Sequence, residues 1–470
     1  MKKETSKLWT ILPYNIGKIE SRYLITTFFG SWVDLSLEEF KKLHSLKIEE
    51  NSNLFKKLVK EKIILTEENI KSLINQIRLL HQNWFEDTGL HIAVVTDACN
   101  YNCVYCQAYN PNQSFPMMDY QVAVKVLEFM FSVSNPNIKL EIQGGEPLLN
   151  WKIVKFLIEN ARKINKIRKK NLIIALVSNL ALLDKKKAEF LLKHNVEIST
   201  SLDGPKFIQD KNRPTKLGKS SYDLTTSGIK LWIKQSKQAG KKPLIGALPT
   251  ITKLSLPYYK QIVDEYVKWK FPTIHLRPLT PLGLAKKKWN EIGYKPEQFI
   301  KFWEKAMDYI LELNQKGINL KETMAEIMLK KILKKKDPKY VDLESPCGAG
   351  RSQIAYDPTG DIYTCDEARM TRLDVFKLGN VLKDKYQDIG KNPNFYYTAQ
   401  SSMIDFYDYA SPFYPWSGTC PVVNLATQKN PVVKIYQTFR KKTLDAQFRY
   451  IFKKLIFDKK AKQVFEKWVS

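Results

Sequence analysis

The sequence predicts an α/β fold: six βα repeats whose parallel sheet curls into a partial (β/α)6 TIM barrel, with a small module before it and an auxiliary unit after it. Three observations carry this. Strand-like apolar runs alternate with helical patterns through the middle of the 470-residue chain, as expected for a sheet covered by crossover helices. No antiparallel hairpin signature interrupts that alternation, and right-handed crossovers would curl such a sheet. Cysteine, glycine and carboxylate motifs recur directly after successive strands, at the carboxyl edge where these folds gather ligands.

Composition sets the frame. A hydrophobic fraction of 44% with 12% aromatic residues belongs to a globular chain and not to a disordered one. The length allows two or three domains. The opening M-K-K-E-T-S-K-L-W-T is charged and has no apolar core, so no signal peptide is expected. No run of about 18 uncharged apolar residues appears, so no membrane span is expected, and a reducing cytoplasm suits the thiols. The net charge of +28 leaves two readings. One is solvated lysine-rich faces such as K-I-R-K-K and L-K-K-I-L-K-K-K. The other is attraction of an acidic partner, whether peptide, electron-donor protein or nucleic acid.

Residues 1–86 lack cysteine. Tyr23–Leu35 reads as a hairpin, and Ser36 with Glu39 forms a capping box that opens a helix. Amphipathic stretches follow at Ser52–Lys62 and Thr66–Gln82. The barrel is expected over residues 87–335. Its strands are read at His91–Thr96, Lys139–Gln143, Leu172–Ser178, Val196–Leu202, Leu244–Pro249 and Thr273–Arg277. Helical patterns lie between them, including Asp119–Ser132, Trp151–Arg168 and Lys185–His194. Residues 336–470 form the auxiliary unit. Its last helical region, about residues 431–469, is basic and amphipathic and is expected to pack across the barrel mouth or on the auxiliary unit.

The chemistry starts in T-D-A-C-N-Y-N-C-V-Y-C-Q, where Cys99, Cys103 and Cys106 follow the first barrel strand. A structural zinc site wants four closed ligands, and His91, the nearest histidine, stands before the motif at no usual ligand spacing. A [4Fe–4S] cube normally takes one thiolate per iron, so three thiolates leave one iron open. After the second strand comes E-I-Q-G-G-E-P, containing Gln143, Gly144, Gly145 and Glu146. Paired glycines let a backbone approach a ligand closely; taken alone, the same residues make a tight turn with Pro147 opening a helix. Ser178 and Asn179 follow the third strand. S-T-S-L-D-G-P, with Ser201 and Asp203, follows the fourth, and Arg213 stands in the K-N-R-P beyond. Each taken singly reads equally as a cap or a polar loop residue.

Together these motifs resemble the radical S-adenosylmethionine (SAM) enzymes. The resemblance implies a [4Fe–4S] cluster on Cys99, Cys103 and Cys106, with SAM on its open iron. It implies SAM contacts at Tyr105, Gln143, Gly144, Gly145 and Glu146, the G-G-E-P segment receiving the amino group of SAM. It extends them to Asn179, Ser201, Asp203 and Arg213, since the serine of S-x-D-G-P and an arginine twelve positions on resemble the anaerobic sulfatase-maturase branch. Leu276, in I-H-L-R-P-L, is either part of the adenine pocket or plain core.

The C-terminal run C-G-A-G-R-S-Q-I-A-Y-D-P-T-G-D-I-Y-T-C-D-E-A-R-M holds Cys347, Gly360 and Cys365 around a hairpin turn. It is similar to the first half of a SPASM domain, which carries auxiliary iron–sulfur clusters. The second half of that pattern is reduced to Cys420, with Ser417, Ala426 and Asn430 at the other cysteine positions, so two full auxiliary clusters are not expected. One cluster on Cys347, Cys365, Cys420 and a non-cysteine ligand, or three buried thiols without a cluster, both stand. The sulfatase-maturase likeness implies that Asp366 takes a substrate proton. The alternative is an ion pair with Arg369 or Arg372.

Over residues 85–435 the chain is most similar to the His-Xaa-Ser system radical SAM maturases of the B type, through C-D-E-A-R-M followed by F-K-L-G-N-V. This resemblance implies reductive cleavage of SAM and hydrogen abstraction from a ribosomally made precursor peptide. It also implies a flavodoxin- or ferredoxin-like electron donor and leaves room for a partner maturase. The first module is similar to winged-helix modules that grip leader peptides by strand addition, with a structural cap as the alternative. Two further functions compete: oxidation of a Cys or Ser side chain to formylglycine, and nucleic-acid binding by charge. No aromatic–basic RNA-binding signature supports the last.

Overall fold

The computed structural model describes residues 9–82, 84, 86–108, 115–403, 410–429 and 439–470. The N-terminal part is a three-stranded antiparallel sheet of β1 (Tyr14–Ile19), β2 (Arg22–Thr27) and β3 (Trp32–Leu35), in that order. The β2–β3 hairpin falls within Tyr23–Leu35 as expected, give or take one residue. β1 lies outside that expectation, because Gly17 and Lys18 interrupt its apolar alternation. Gly17 earns its place through a distant contact: a Cβ there would lie 2.8 Å from the Pro412 side chain. The capping box is present, with Ser36 N donating to Glu39 Oε2 at 2.7 Å and Glu39 N to Ser36 Oγ at 3.2 Å. Helices Leu37–His44, Asn53–Lys60 and Ile70–His81 follow. Leu43, Leu54 and Leu58 close a small core against Ile25, Val33 and Leu35.

The central sheet begins with β4 (Leu90–Val94), β5 (Asn137–Gln143), β6 (Asn171–Val177), β7 (Val196–Thr200) and β8 (Ile245–Ala247). Each is parallel to its neighbour. Their apolar runs, such as the buried Ile174–Ala175–Leu176, are what a sheet covered on both faces requires. Helices Tyr120–Phe131, Trp151–Arg168 and Lys185–Lys193 cover it close to their expected bounds.

The expected sixth strand is not part of this sheet. Thr273–Ile274 pairs with Lys321–Glu322, and Arg277–Pro278 pairs with Thr250–Ile251, each only two residues long. Pro278 has no backbone donor for a longer ladder, and Leu276 N donates to the Glu322 carboxylate at 3.2 Å instead. The sheet grows on its other side. β9 (Gln353–Tyr356) lies parallel to β4, and β10 (Asp361–Tyr363) and β11 (Lys377–Asn380) follow antiparallel. The D-P-T-G-D hairpin, expected within an auxiliary unit, thus extends the central sheet. All four β9 residues are buried, and Ala355 packs with Ile92 and Val94. His91 Nδ1 and Tyr356 Oη lie 2.7 Å apart across this junction.

Helices Phe439–Phe457 and Lys459–Val469 close the chain. They pack on the Pro296–Gln315 helix, with Tyr450 Oη donating to Asp308 at 2.7 Å and Trp468 Nε1 to Asn314 at 3.1 Å. Phe452 reaches Trp32 of the N-terminal sheet, ring centroids 5.2 Å apart. Of the two expected placements the C-terminal one is seen: Phe448 and Phe452 pack on Phe413 and Trp416, Tyr450 meets Trp303 on the helical layer, and Phe439 and Arg440 at the start of the segment line a cavity. Among the described residues no helix is long and apolar enough to cross a membrane.

Candidate active site

The cysteine loop leaves the carboxyl end of β4 and is clamped from three sides. Gly145 N and Glu146 N donate to Thr96 O and Ala98 O, both at 2.8 Å. Asn102 N donates to Pro214 O at 2.7 Å and Val104 N to Asn212 O at 2.9 Å. Leu284 N donates to Cys106 O at 2.9 Å. The paired glycines therefore serve the loop itself. A Cβ at Gly144 would stand 2.5 Å from Thr96 O, and one at Gly145 would overlap the Ala98 carbonyl.

Held this way, Cys99, Cys103 and Cys106 all line one cavity of about 550 Å³, together with Tyr105 and Arg213. That volume suits a cofactor-sized ligand. Burial pushes the Cys99 and Cys103 thiols up to about 12, and neighbouring thiols add to the shift. Only a cation inside the loop would favour three thiolates there. Among the described residues no three His, Cys, Asp or Glu side chains are grouped as for a single metal ion.

Asp203 organises the far wall. It is fully buried and accepts from Tyr105 Oη at 2.6 Å, Arg213 Nη2 at 3.0 Å, Asn212 Nδ2 at 3.1 Å and Thr250 N at 3.0 Å. Burial opposes the charge on Arg213, but the Asp203 carboxylate outweighs it. The guanidinium lies over the Tyr105 ring at 5.2 Å, and its Nε is buried with no hydrogen-bond partner among the described residues. A guanidinium lining the same cavity as three thiols suits a ligand carboxylate.

Residues 93–253 match the Radical SAM superfamily. The chain carries a radical SAM domain. A cysteine-type anaerobic sulfatase-maturating enzyme of Clostridium perfringens is 26% identical over 305 residues, spanning 62% of this chain and 77% of the relative. Among solved structures, native anSMEcpe with bound AdoMet (SAM) matches with a TM-score of 0.68 at 21% identity, covering 78% of this chain and 98% of that one. Streptococcus suis SuiB bound to precursor peptide SuiA matches with a TM-score of 0.53 at 14% identity, covering 91% of this chain and 98% of that one. These likenesses establish the radical SAM fold.

Several motif residues of the radical SAM domain stand off the cysteine cavity. Glu146 is fully buried and its carboxylate accepts from Ser178 Oγ at 2.7 Å, Asn179 N at 2.8 Å and Leu148 N at 3.0 Å. Burial raises it to about 7 despite these donors. It clamps the G-G-E-P segment to the end of β6. Asn179 Nδ2 reaches Asn100 Oδ1 at 2.7 Å, and the Gln143 carbonyl accepts from Val95 N at 2.9 Å, so both steady the cysteine loop. Ser201 is half-buried, with its carbonyl accepting from Gln209 Nε2 at 3.2 Å. Leu276 is buried on a second cavity, beyond the Arg277–Pro278 wall.

The C-terminal part reaches the radical SAM loop through the helix Asp366–Thr371. Arg369, buried, is held by Asp366 Oδ1 through Nε at 3.0 Å and Nη2 at 2.9 Å, and its Nη1 lies 3.8 Å from Asp97. Arg372 also pairs with Asp97, two residues before Cys99. The expected ion pair of Asp366 with Arg369 is thus present, and Asp366 lines neither cavity. Glu367, its neighbour, lines the second cavity and meets Arg277 Nη2 at 3.1 Å.

Sequence reading missed Glu367, Arg277, Asp97 and Gly283. At Gly283 (φ +53) a Cβ would lie 2.7 Å from Cys106 O, so the glycine in P-L-G-L was the available signal. Cys347, Cys365 and Cys420 do converge, in one apolar cluster with Phe376 and Val422. Burial, Glu367 and the other two thiols push the Cys365 thiol up. Ala426 lies on the helix after Cys420 and has no ligating group; Asn430 lies outside the described residues.

Proposed function

We propose that this radical SAM enzyme modifies a ribosomally made precursor peptide. The carrying observation is the convergence of Cys99, Cys103 and Cys106 with Tyr105 and Arg213 on one cavity. The three cysteines would hold a [4Fe–4S] cluster with one open iron, and Arg213 and Tyr105 would face the bound SAM. When bound, the two supply reductive cleavage of a sulfonium and abstraction of a hydrogen atom from substrate. The chain does the rest. Asp203 keeps Arg213 charged and Tyr105 oriented, and Gly144 and Gly145 hold the loop in register.

The peptide substrate is supported by the structural neighbour captured with its precursor peptide. The His-Xaa-Ser branch, a flavodoxin- or ferredoxin-like donor and a partner maturase belong to the same reading. In it, residues 1–86 form the winged-helix-like module, 87–335 the barrel and 336–470 the SPASM-like unit. Cys347, Cys365 and Cys420 would hold one auxiliary cluster. Ser417 is the candidate fourth ligand, since it stands at a cysteine position of the pattern and its buried hydroxyl has no hydrogen-bond partner among the described residues.

The sulfatase-maturase reading is favoured by the relative matched over 77% of its length. One experiment separates the two. Anaerobically reconstituted protein is given SAM, dithionite and either a candidate precursor or a sulfatase-derived peptide, and products are read by mass spectrometry. We expect 5′-deoxyadenosine together with a mass change in the precursor. Formylglycine in the sulfatase peptide would move the assignment to the second reading. Cys103→Ala is expected to abolish 5′-deoxyadenosine formation, and retained turnover would refute the cluster assignment.

A further inference from the structure

A second cavity, of about 510 Å³, adjoins the cysteine cavity, and Arg277 and Pro278 line both. Its walls are of two kinds. Trp289, Tyr294, Tyr340 and Phe439 present aromatic surface. Arg277, Lys286, Lys295 and Arg440 bring four cations against the single carboxylate of Glu367 among the described lining residues. We propose that this chamber receives the segment of substrate that carries the reacting residue, and that the segment is an acidic peptide with a bulky apolar or aromatic side chain. The proposal rests on the peptide reading above and adds the character of the peptide.

Charge complementarity chooses the occupant. A partly enclosed chamber with an excess of cations attracts carboxylates more strongly than the same charges would on an open surface. Aromatic walls reward an apolar side chain and leave a charged one poorly solvated. Arg277 is the cation common to both linings, already paired with Glu367 at 3.1 Å. A substrate carboxylate that exchanged with Glu367 there would stand against the wall of the cysteine cavity. The chain's net charge of +28 favours encounter with the same class of peptide.

The test uses the reconstituted full-length protein and two labelled peptides of equal length, each with one central tryptophan. One is flanked by aspartate and glutamate, the other by lysine. Fluorescence anisotropy is expected to show the acidic peptide binding at least about tenfold tighter, with affinity falling as salt rises. Lys286→Glu with Lys295→Glu, both exposed positions, is expected to erase the preference while the circular dichroism spectrum is unchanged. If that double variant does not fold, the salt titration of the native protein decides.

Equal affinity for the two peptides, or a preference that survives charge reversal, overturns the proposal. Displacement of the acidic peptide by a single-stranded oligonucleotide as effectively as by unlabelled peptide also overturns it, as a site for any polyanion. Binding needs no SAM cleavage. Normal 5′-deoxyadenosine release with equal peptide affinities would sink this proposal alone, whereas no release from native protein would sink the radical reading.

Discussion

Asp203 shows how one motif residue governs others. Its two oxygens take four donors, among them Tyr105 and Arg213. Asp203→Asn keeps the shape but leaves the Arg213 guanidinium buried without its counter-charge, a loss of about 3–5 kcal/mol. Urea unfolding is expected to report that loss, and equilibrium dialysis a weaker hold on SAM. Glu322 offers a titration. It is fully buried, accepts from Ala325 N at 2.7 Å, and is raised to about 7 by burial. A carboxylate raised on folding stabilises fully below its unfolded value near 4.5 and loses that contribution as pH rises through about 7. The stability of Glu322→Gln relative to the native chain is therefore expected to climb through that window, by roughly 1.4 kcal/mol per pH unit. Taking the difference removes His91, which burial lowers to about 3 and which acts with the opposite sign. A flat difference in unfolding midpoints between pH 5 and pH 7 would contradict this.

Among elements, the cysteine loop depends on neighbours that its own sequence does not name. The G-G-E-P segment was legible because two adjacent glycines are informative in any context. That the loop backbone packs against them, while both also line the cysteine cavity, is a tertiary fact. Gly145→Ala is expected to displace Ala98 and with it Cys99. Iron per chain after reconstitution should fall to under about half, with helix content retained, because the clash is with backbone and has no flexible group to yield. Full iron loading would show that the clamp has slack. The five strands β4–β8 were legible as apolar runs between helical patterns. The paired bridges at Thr273–Ile274 and Arg277–Pro278 were not, since their partners lie up to 48 residues away and each is only two residues long.

For the whole molecule, the sheet that begins at β8 ends at β11, so residues 87–335 supply only part of it. A fragment of residues 87–335 would leave the β4 edge unpaired where Gln353–Tyr356 covers it. Unpaired apolar edges invite aggregation. That fragment is expected to be insoluble or to elute as aggregate in size-exclusion chromatography, while the full chain is monodisperse. A folded, monomeric fragment would show that β9 is dispensable.

The sequence by itself determined what short windows encode: the cysteine trio, the glycine pair, the capping box and the core strands, each set by spacing within one or two elements. Tertiary structure alone decided that the Asp357–Gly360 turn hangs from a strand completing the barrel edge. It decided that Asp366 pairs with Arg369 while Glu367 lines a cavity, and that Gly17 makes room for Pro412. Those choices rest on which faces remain uncovered after distant segments pack. No local pattern of side chains carries that information.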